Sequence, residues 1–141
     1  MVMPYLIVSG ATRAIAFYRD VFGATELVRL AQPDGKIAHA DLKIGDGHIM
    51  LADEFPDMGY RSPTSLGGSP VSLYLVVDDV DAVFARALAA GAKELMPVSD
   101  QFDGDRRGTL ADPFGHVWLL STPGDAIDHA ELARRFKNLS K

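Results

Sequence analysis

PYLIV at Pro4–Val8 returns as LYLVV at Leu73–Val77, which sets Tyr74 at 69 positions beyond Tyr5. Working outward, FGA at Phe22–Ala24 returns as AGA at Ala90–Ala92, and GHIML at Gly47–Leu51 returns as GHVWL at Gly115–Leu119, both 68 positions later. Three blocks in the same order at nearly constant spacing define two copies of one supersecondary unit, with any function expected between them. A second helix one residue shorter relative to its strand would account for the drop from 69 to 68.

Each copy reads as βαβββ. Tyr5–Val8 is a short apolar, β-branched run bounded by Pro4 and by Ser9-Gly10, the pattern of a buried strand. A helix follows in which Ile15, Phe17, Tyr18, Val21 and Phe22 recur at helical spacing, with Thr12 as its expected cap and Gly23 as its stop. Strands are then expected at Thr25–Leu30, Lys36–Ile44 and His48–Asp53, separated by the turns Pro33-Asp34-Gly35 and Gly45-Asp46-Gly47. The second copy gives a strand at Ser72–Val77, a helix at Val80–Ala90, and strands at Lys93–Val98, Gly108–Ala111 and Val117–Thr122. The expected fold class is α+β, with two pseudo-symmetric modules over residues 3–54 and 70–122. They are joined by a linker at 55–69 within one domain of residues 1–124. Residues 125–141 form a tail in which Ile127, Ala130, Ala133 and Phe136 recur at three-residue steps, the pattern of a short docked helix.

Composition narrows the function classes. The 141 residues are 48% hydrophobic and 23% charged, a globular balance. A net charge of −5 with no basic stripe argues against nucleic acid. The absence of cysteine removes disulfides, thiolate metal sites and cysteine nucleophiles. No apolar run reaches the length of a membrane span and the first residues carry no basic n-region, so a cytoplasmic location is expected.

Four blocks carry a resemblance: AIAFYRDVFGA at 14–24, GKIAHADLKIGD at 35–46, DVDAVFARALAAGA at 79–92 and GDRRGTLADPFGHVWLLST at 104–122. Over residues 3–122 the chain resembles the vicinal oxygen chelate superfamily, the glyoxalase and bleomycin-resistance fold, and within it the PhnB-like branch. The resemblance implies that each module curls into a mixed sheet around a concave cavity, that the helices lie on the convex side, and that two chains form a homodimer. It also implies a divalent cation held by the first and last strands of each module. Those positions fall at Met3, Leu51, Ser72 and Leu119, or with a one-residue slip at Pro4, Met50, Leu73 and Trp118. Neither set offers the carboxylates or imidazoles a divalent ion requires, so no metal and no cofactor are expected. A relocated site that borrows His39 and Asp41 is the alternative.

Strand parity places Tyr5, Ile7, Ile49, Tyr74, Val76, Val117, Leu119 and Ser121 on the concave face, with His39, Asp41 and Lys43 and their counterparts Arg107, Thr109 and Ala111. Such a cavity suits a small organic ligand. Tyr5, His39, Tyr74, Phe102, Arg107 and Leu119 are the expected ligand contacts, and His39, Asp41 and Tyr74 the candidate acid–base groups. Each also has a structural reading: core tyrosines, a surface His39–Asp41 pair, an Arg107–Asp41 ion pair. Arg106 is expected to point away. His48, His116 and the Asp112-Pro113-Phe114-Gly115 turn read as architecture. The leading expectation is a metal-free binding protein for sequestration, resistance or accessory metabolism. A metal-independent lyase, isomerase or hydrolase is the rival, and a metal-dependent glyoxalase or dioxygenase the third reading.

Overall fold

The computed structural model describes residues 1–140 and contains the βαβββ order twice. The first copy comprises β1 (Tyr5–Val8), α1 (Ala11–Phe22), β2 (Thr25–Ala31), β3 (Ile37–Ile44) and β4 (Gly47–Asp53). After a 3-10 turn at Pro56–Met58 and the one-turn helix α2 (Pro63–Leu66) come β5 (Ser72–Val76), α3 (Val80–Ala89), β6 (Lys93–Asp100), β7 (Arg106–Ala111) and β8 (Val117–Thr122). The tail helix α4 spans His129–Asn138, two residues later at each end than its three-residue spacing predicts.

Each copy builds its own four-stranded mixed sheet, ordered β1-β4-β3-β2 and β5-β8-β7-β6, with only the β1–β4 and β5–β8 pairs parallel. The α+β class and the doubled module are therefore as expected. The chain divides into two compact units. The first contains residues 1–71 together with the turn at 112–116, and the second contains residues 72–111 and 117–140.

In the first unit, Ala14, Ile15, Tyr18 and Val21 of α1 are buried along with Leu6, Val8, Ala40, Leu42 and Leu51 of the sheet. In the second, Val80, Phe84 and Ala87 of α3 are buried with Leu110, Trp118 and Leu120. Burial of each such leucine contributes about 1.5–3 kcal/mol. Gly108 permits this packing: a Cβ there would lie 2.8 Å from Val98 Cγ2 and 2.9 Å from Phe84 Cε2.

Thr12 does not cap α1. The helix begins at Ala11 after Gly10, whose φ of 100° puts it in the left-handed region that glycine tolerates. The cap comes from the far end of the module: Asp53 Oδ1 accepts the Gly10 and Ala11 amides at 3.0 and 2.8 Å, and Oδ2 accepts the Ile37 amide at 2.8 Å. A carboxylate here satisfies free amide groups and the positive end of the helix dipole together. The second copy uses Thr122 at the matching strand position. Its hydroxyl accepts the Val80 amide at 2.8 Å and donates to the Val77 carbonyl at 2.9 Å.

Register corrects one part of the sequence reading. Tyr5 lies beside Met50 in the first unit, whereas Tyr74 lies beside Leu119 in the second. Met50 is therefore the structural counterpart of Leu119, and the matching GH dipeptides are not equivalent. The first β-hairpin closes through the two residues Gly45-Asp46. The equivalent hairpin of the second copy closes through three, Pro113-Phe114-Gly115, between Asp112 and His116, where the Asp112 amide donates to the His116 carbonyl at 2.8 Å. The extra residue reverses the one-residue loss in the helical segment and flips the side-chain alternation of β4 against the sequence alignment. Ile49 and Leu51, expected on the cavity side, are buried on the α1 face instead.

Candidate functional site

Opposite its helix, each sheet has an open face, and each open face carries the same device. In the first unit Tyr5 and Ile7 of β1, His48, Met50 and Ala52 of β4, and His39, Asp41 and Lys43 of β3 share that face. The Tyr5 hydroxyl lies 3.0 Å from His39 Nδ1. In the second unit Tyr74 and Val76, Val117, Leu119 and Ser121, and Arg107, Thr109 and Ala111 share it. There the Arg107 guanidinium donates to the Tyr74 hydroxyl at 3.1 Å. A first-strand phenol thus bonds to a basic group on the third strand in both copies, and Arg107 stands at the repeat position of His39. Tyr5 is 39% and Tyr74 54% exposed, so both remain open to a ligand.

The partners differ from several sequence expectations. His39 bonds to Tyr5 and not to Asp41, because alternate residues on a strand are about 7 Å apart at the backbone. Asp41 instead pairs with His48, whose Nδ1 lies 3.2 Å from Asp41 Oδ1. His48 was expected to be architectural; the two-residue hairpin puts it in a strand, on the open face. Arg107 pairs with Asp103 at 2.8 Å rather than with Asp41, a local contact across the loop preceding β7. Phe102 is turned to the tail: its ring lies 5.8 Å from Phe136, and Arg135 donates to its carbonyl. Those two contacts tie the Phe102 segment to α4. Arg106 points away as expected, bonding to Asp81 and Asp100. Ser121 Oγ is buried and has no hydrogen-bond partner among the described residues, so a water or ligand atom would complete it.

His116 and its turn are architectural. Its Nε2–H donates to the Ile7 carbonyl at 2.9 Å. Asp112 accepts the Tyr18 hydroxyl at 2.6 Å with one oxygen and the Phe114 and His116 amides with the other.

One carboxylate gathers three donors of the linker. Glu54 accepts the Ser62 amide at 2.9 Å and the hydroxyls of Ser62 and Ser65. These bonds, Ser62 first, hold its carboxyl down at about 2. A carboxyl depressed in the folded state stabilises above its unfolded value near 4.5 and loses that contribution as pH falls toward 2. The Ser62 amide is therefore expected to stay protected from hydrogen exchange at pH 4 and to lose protection between pH 3 and 2. Glu54→Ala, which removes the acceptor, should lose it at every pH.

Side chains at the family's cation positions do not fit a metal. The first unit offers Met3 and Met50, the second Ser72 and Leu119: two thioethers, a hydroxyl and an aliphatic chain. Nor is there, among the described residues, a group of three or more His, Asp or Glu side chains placed to hold an ion, which leaves the relocated His39–Asp41 site unsupported. No helix among them is long and apolar enough to cross a membrane.

A doubled βαβββ chain with an open sheet face per copy defines a class, and sequence comparison supplies the family. The model for the Glyoxalase/Bleomycin resistance protein/Dioxygenase superfamily matches residues 2–120, and the chain belongs to that superfamily. An uncharacterized protein of Mycobacterium tuberculosis is 49% identical over 132 residues, covering 92% of this chain and 78% of that one. Among solved structures, TioX from Micromonospora sp. ML1 is 30% identical at a TM-score of 0.63, covering 91% of this chain and 99% of its own. Protein PA1353 of Pseudomonas aeruginosa is 28% identical at a TM-score of 0.70, covering 89% and 98%.

Proposed function

We propose that the chain binds a small organic molecule on its open sheet faces without a metal ion, as a sequestering, resistance or accessory metabolic protein. The observation that carries this reading is the repeated phenol–base pair, Tyr5–His39 and Tyr74–Arg107, set among apolar side chains. Mostly apolar walls with a few fixed polar groups are what small-molecule sites use. The thioethers and leucine at the family's cation positions support binding by burial and hydrogen bonding. Extracting a cation from water without anionic ligands costs many kcal/mol.

The active species is a homodimer in the cytoplasm. Tyr74, Val76 and Met96 expose much of their apolar surface in the single chain, and a second copy would cover it. Native mass spectrometry of the protein from fresh lysate tests these points together. The expected species is a dimer carrying an organic adduct and no stoichiometric divalent ion; a stoichiometric metal that survives desalting overturns the reading.

One observation favours an enzyme as the second reading. With Nδ1–H donated to Asp41, His48 would present Nε2 as a base on the open face. Turnover that fails in His48→Gln while ligand affinity remains would select it.

A further inference from the structure

We propose that Arg61 is the anion-binding residue of this site, so that the ligand is an organic acid carrying a carboxylate or phosphate. The inference rests on the small-molecule reading above and names the ligand class.

A cleft of about 170 Å³ opens on the first unit between β1, the turn at 112–116 and the linker. Tyr5, Ile7 and His116 line one side, and Arg61, Pro63, Leu66 and the Gly68-Ser69-Pro70 segment line the other. Its wall contains one permanent cation and no carboxylate. That is unusual in a chain with 19 acidic and 14 basic residues. Arg29, Arg106, Arg107, Arg134 and Arg135 are each paired with a carboxylate. Arg13 lies over the Phe114 ring. Arg61 has no ion pair or hydrogen bond among the described residues, and its five donors are free for a ligand.

The backbone around it is fixed beforehand. On one side Tyr60 exchanges both backbone hydrogen bonds with Phe55, at 3.0 and 3.1 Å. On the other the Ser62 amide and hydroxyl are held by Glu54. Arg61 thus projects from a two-point clamp, and Glu54 is its positioning residue. The opposite wall is fixed by the His116–Ile7 bond. Burial first, and then Tyr60, raise the Tyr5 hydroxyl above its ordinary pKa. With His39 donating its Nδ1–H to the phenol oxygen, the Tyr5 O–H is available as a second donor. A planar guanidinium in such a cleft matches a carboxylate or phosphate with two parallel bonds, which an ammonium cannot do. The ring or chain of the same ligand would lie along Ile7, Pro63 and Leu66.

The test titrates the full-length ¹⁵N-labelled protein with benzoate, phenyl phosphate and benzamide, which share a ring and differ in charge. Benzoate or phenyl phosphate is expected to bind about tenfold or more tighter than benzamide, shifting the Arg61 side-chain and the Ser69 and His116 amide signals. The two anions distinguish a carboxylate from a phosphate ligand. Arg61→Gln should cut the anion affinity by about tenfold and leave benzamide binding unchanged, with Arg61→Lys recovering only part of the loss. An unchanged melting curve for Arg61→Gln is expected because the side chain has no partner to lose. Benzamide binding as tightly as benzoate, or anions binding Arg61→Gln as they do the wild type, overturns the anion site and leaves the small-molecule reading standing. No shift at the cleft with any of the three probes overturns both.

Discussion

Asp53→Ala is expected to destabilise the protein by about 3–5 kcal/mol, a fall in melting temperature on the order of 10–15 °C. The residue is buried, and its carboxylate accepts three amides at 2.8–3.0 Å, two at the start of α1 and one at the start of β3. Hydrogen bonds to a charged group contribute about 1.5–3 kcal/mol each and do not add fully when they share an acceptor. The alanine leaves the amides without an acceptor and removes the negative charge at a helix terminus that has no acidic residue in its first turn. Asp53→Asn should lie between, since one oxygen becomes a donor facing a donor. Thr122→Val tests the same position in the second copy and is expected to cost about 1–2 kcal/mol, because one neutral hydroxyl is lost there. Urea denaturation followed by circular dichroism measures all three. A cost for Asp53→Ala below that of Thr122→Val would show that the caps are not what hold the helices to their sheets.

Asp53 also marks the limit of what could be read in the sequence. The helical spacing of Ile15, Tyr18 and Val21 was legible, because a buried stripe repeats with the turn of the helix. The cap was not: Thr12 has the right chemistry next to the helix, while the residue that does the capping arrives from β4, 42 positions away. Parity on β3 and β7 correctly gave His39, Asp41, Arg107 and Thr109 because neither strand contains an irregularity between them and their β4 or β8 partners.

Parity on β4 failed because identical letters, GH, sit at different places in hairpins of different length. In a strand a one-residue error reverses every side chain. Ile49 and Leu51 thereby fall on the wrong face, and in the sequence His48 reads as architectural, like His116. The metal argument does not turn on this error, since the soft thioether of Met50 suits a hard divalent ion little better than the aliphatic Leu51. Arg61 was invisible for another reason. The linker has no periodicity, and the two points that fix it, the Phe55–Tyr60 bridge and Glu54 on Ser62, show no repeating pattern in the sequence.

The other large effect is expected at Asp112, where alanine should also cost about 3–5 kcal/mol. Its side chain is buried and accepts the Tyr18 hydroxyl and two amides of its own turn, so the alanine leaves a phenol and two N–H groups without this acceptor. Tyr18→Phe removes one bond and is expected to cost about 1–2 kcal/mol at neutral pH. The pair can be followed by pH. Burial first, and then the neighbouring Asp112 charge, raise the Tyr18 pKa well above 10.0. The folded protein therefore keeps this proton where the unfolded chain releases it. The stabilisation is complete below pH 10 and falls as pH rises toward the folded value. Wild-type stability should decline from pH 10 to 11 more steeply than that of Tyr18→Phe, in urea midpoints measured at each pH. Asp112→Asn should lower the Tyr18 value only in part, since burial is the larger cause. Equal slopes for wild type and Tyr18→Phe would mean that the phenol ionises freely in the folded protein. The helix α1 would then be held against the Asp112 turn by the Phe17, Tyr18 and Phe114 rings alone.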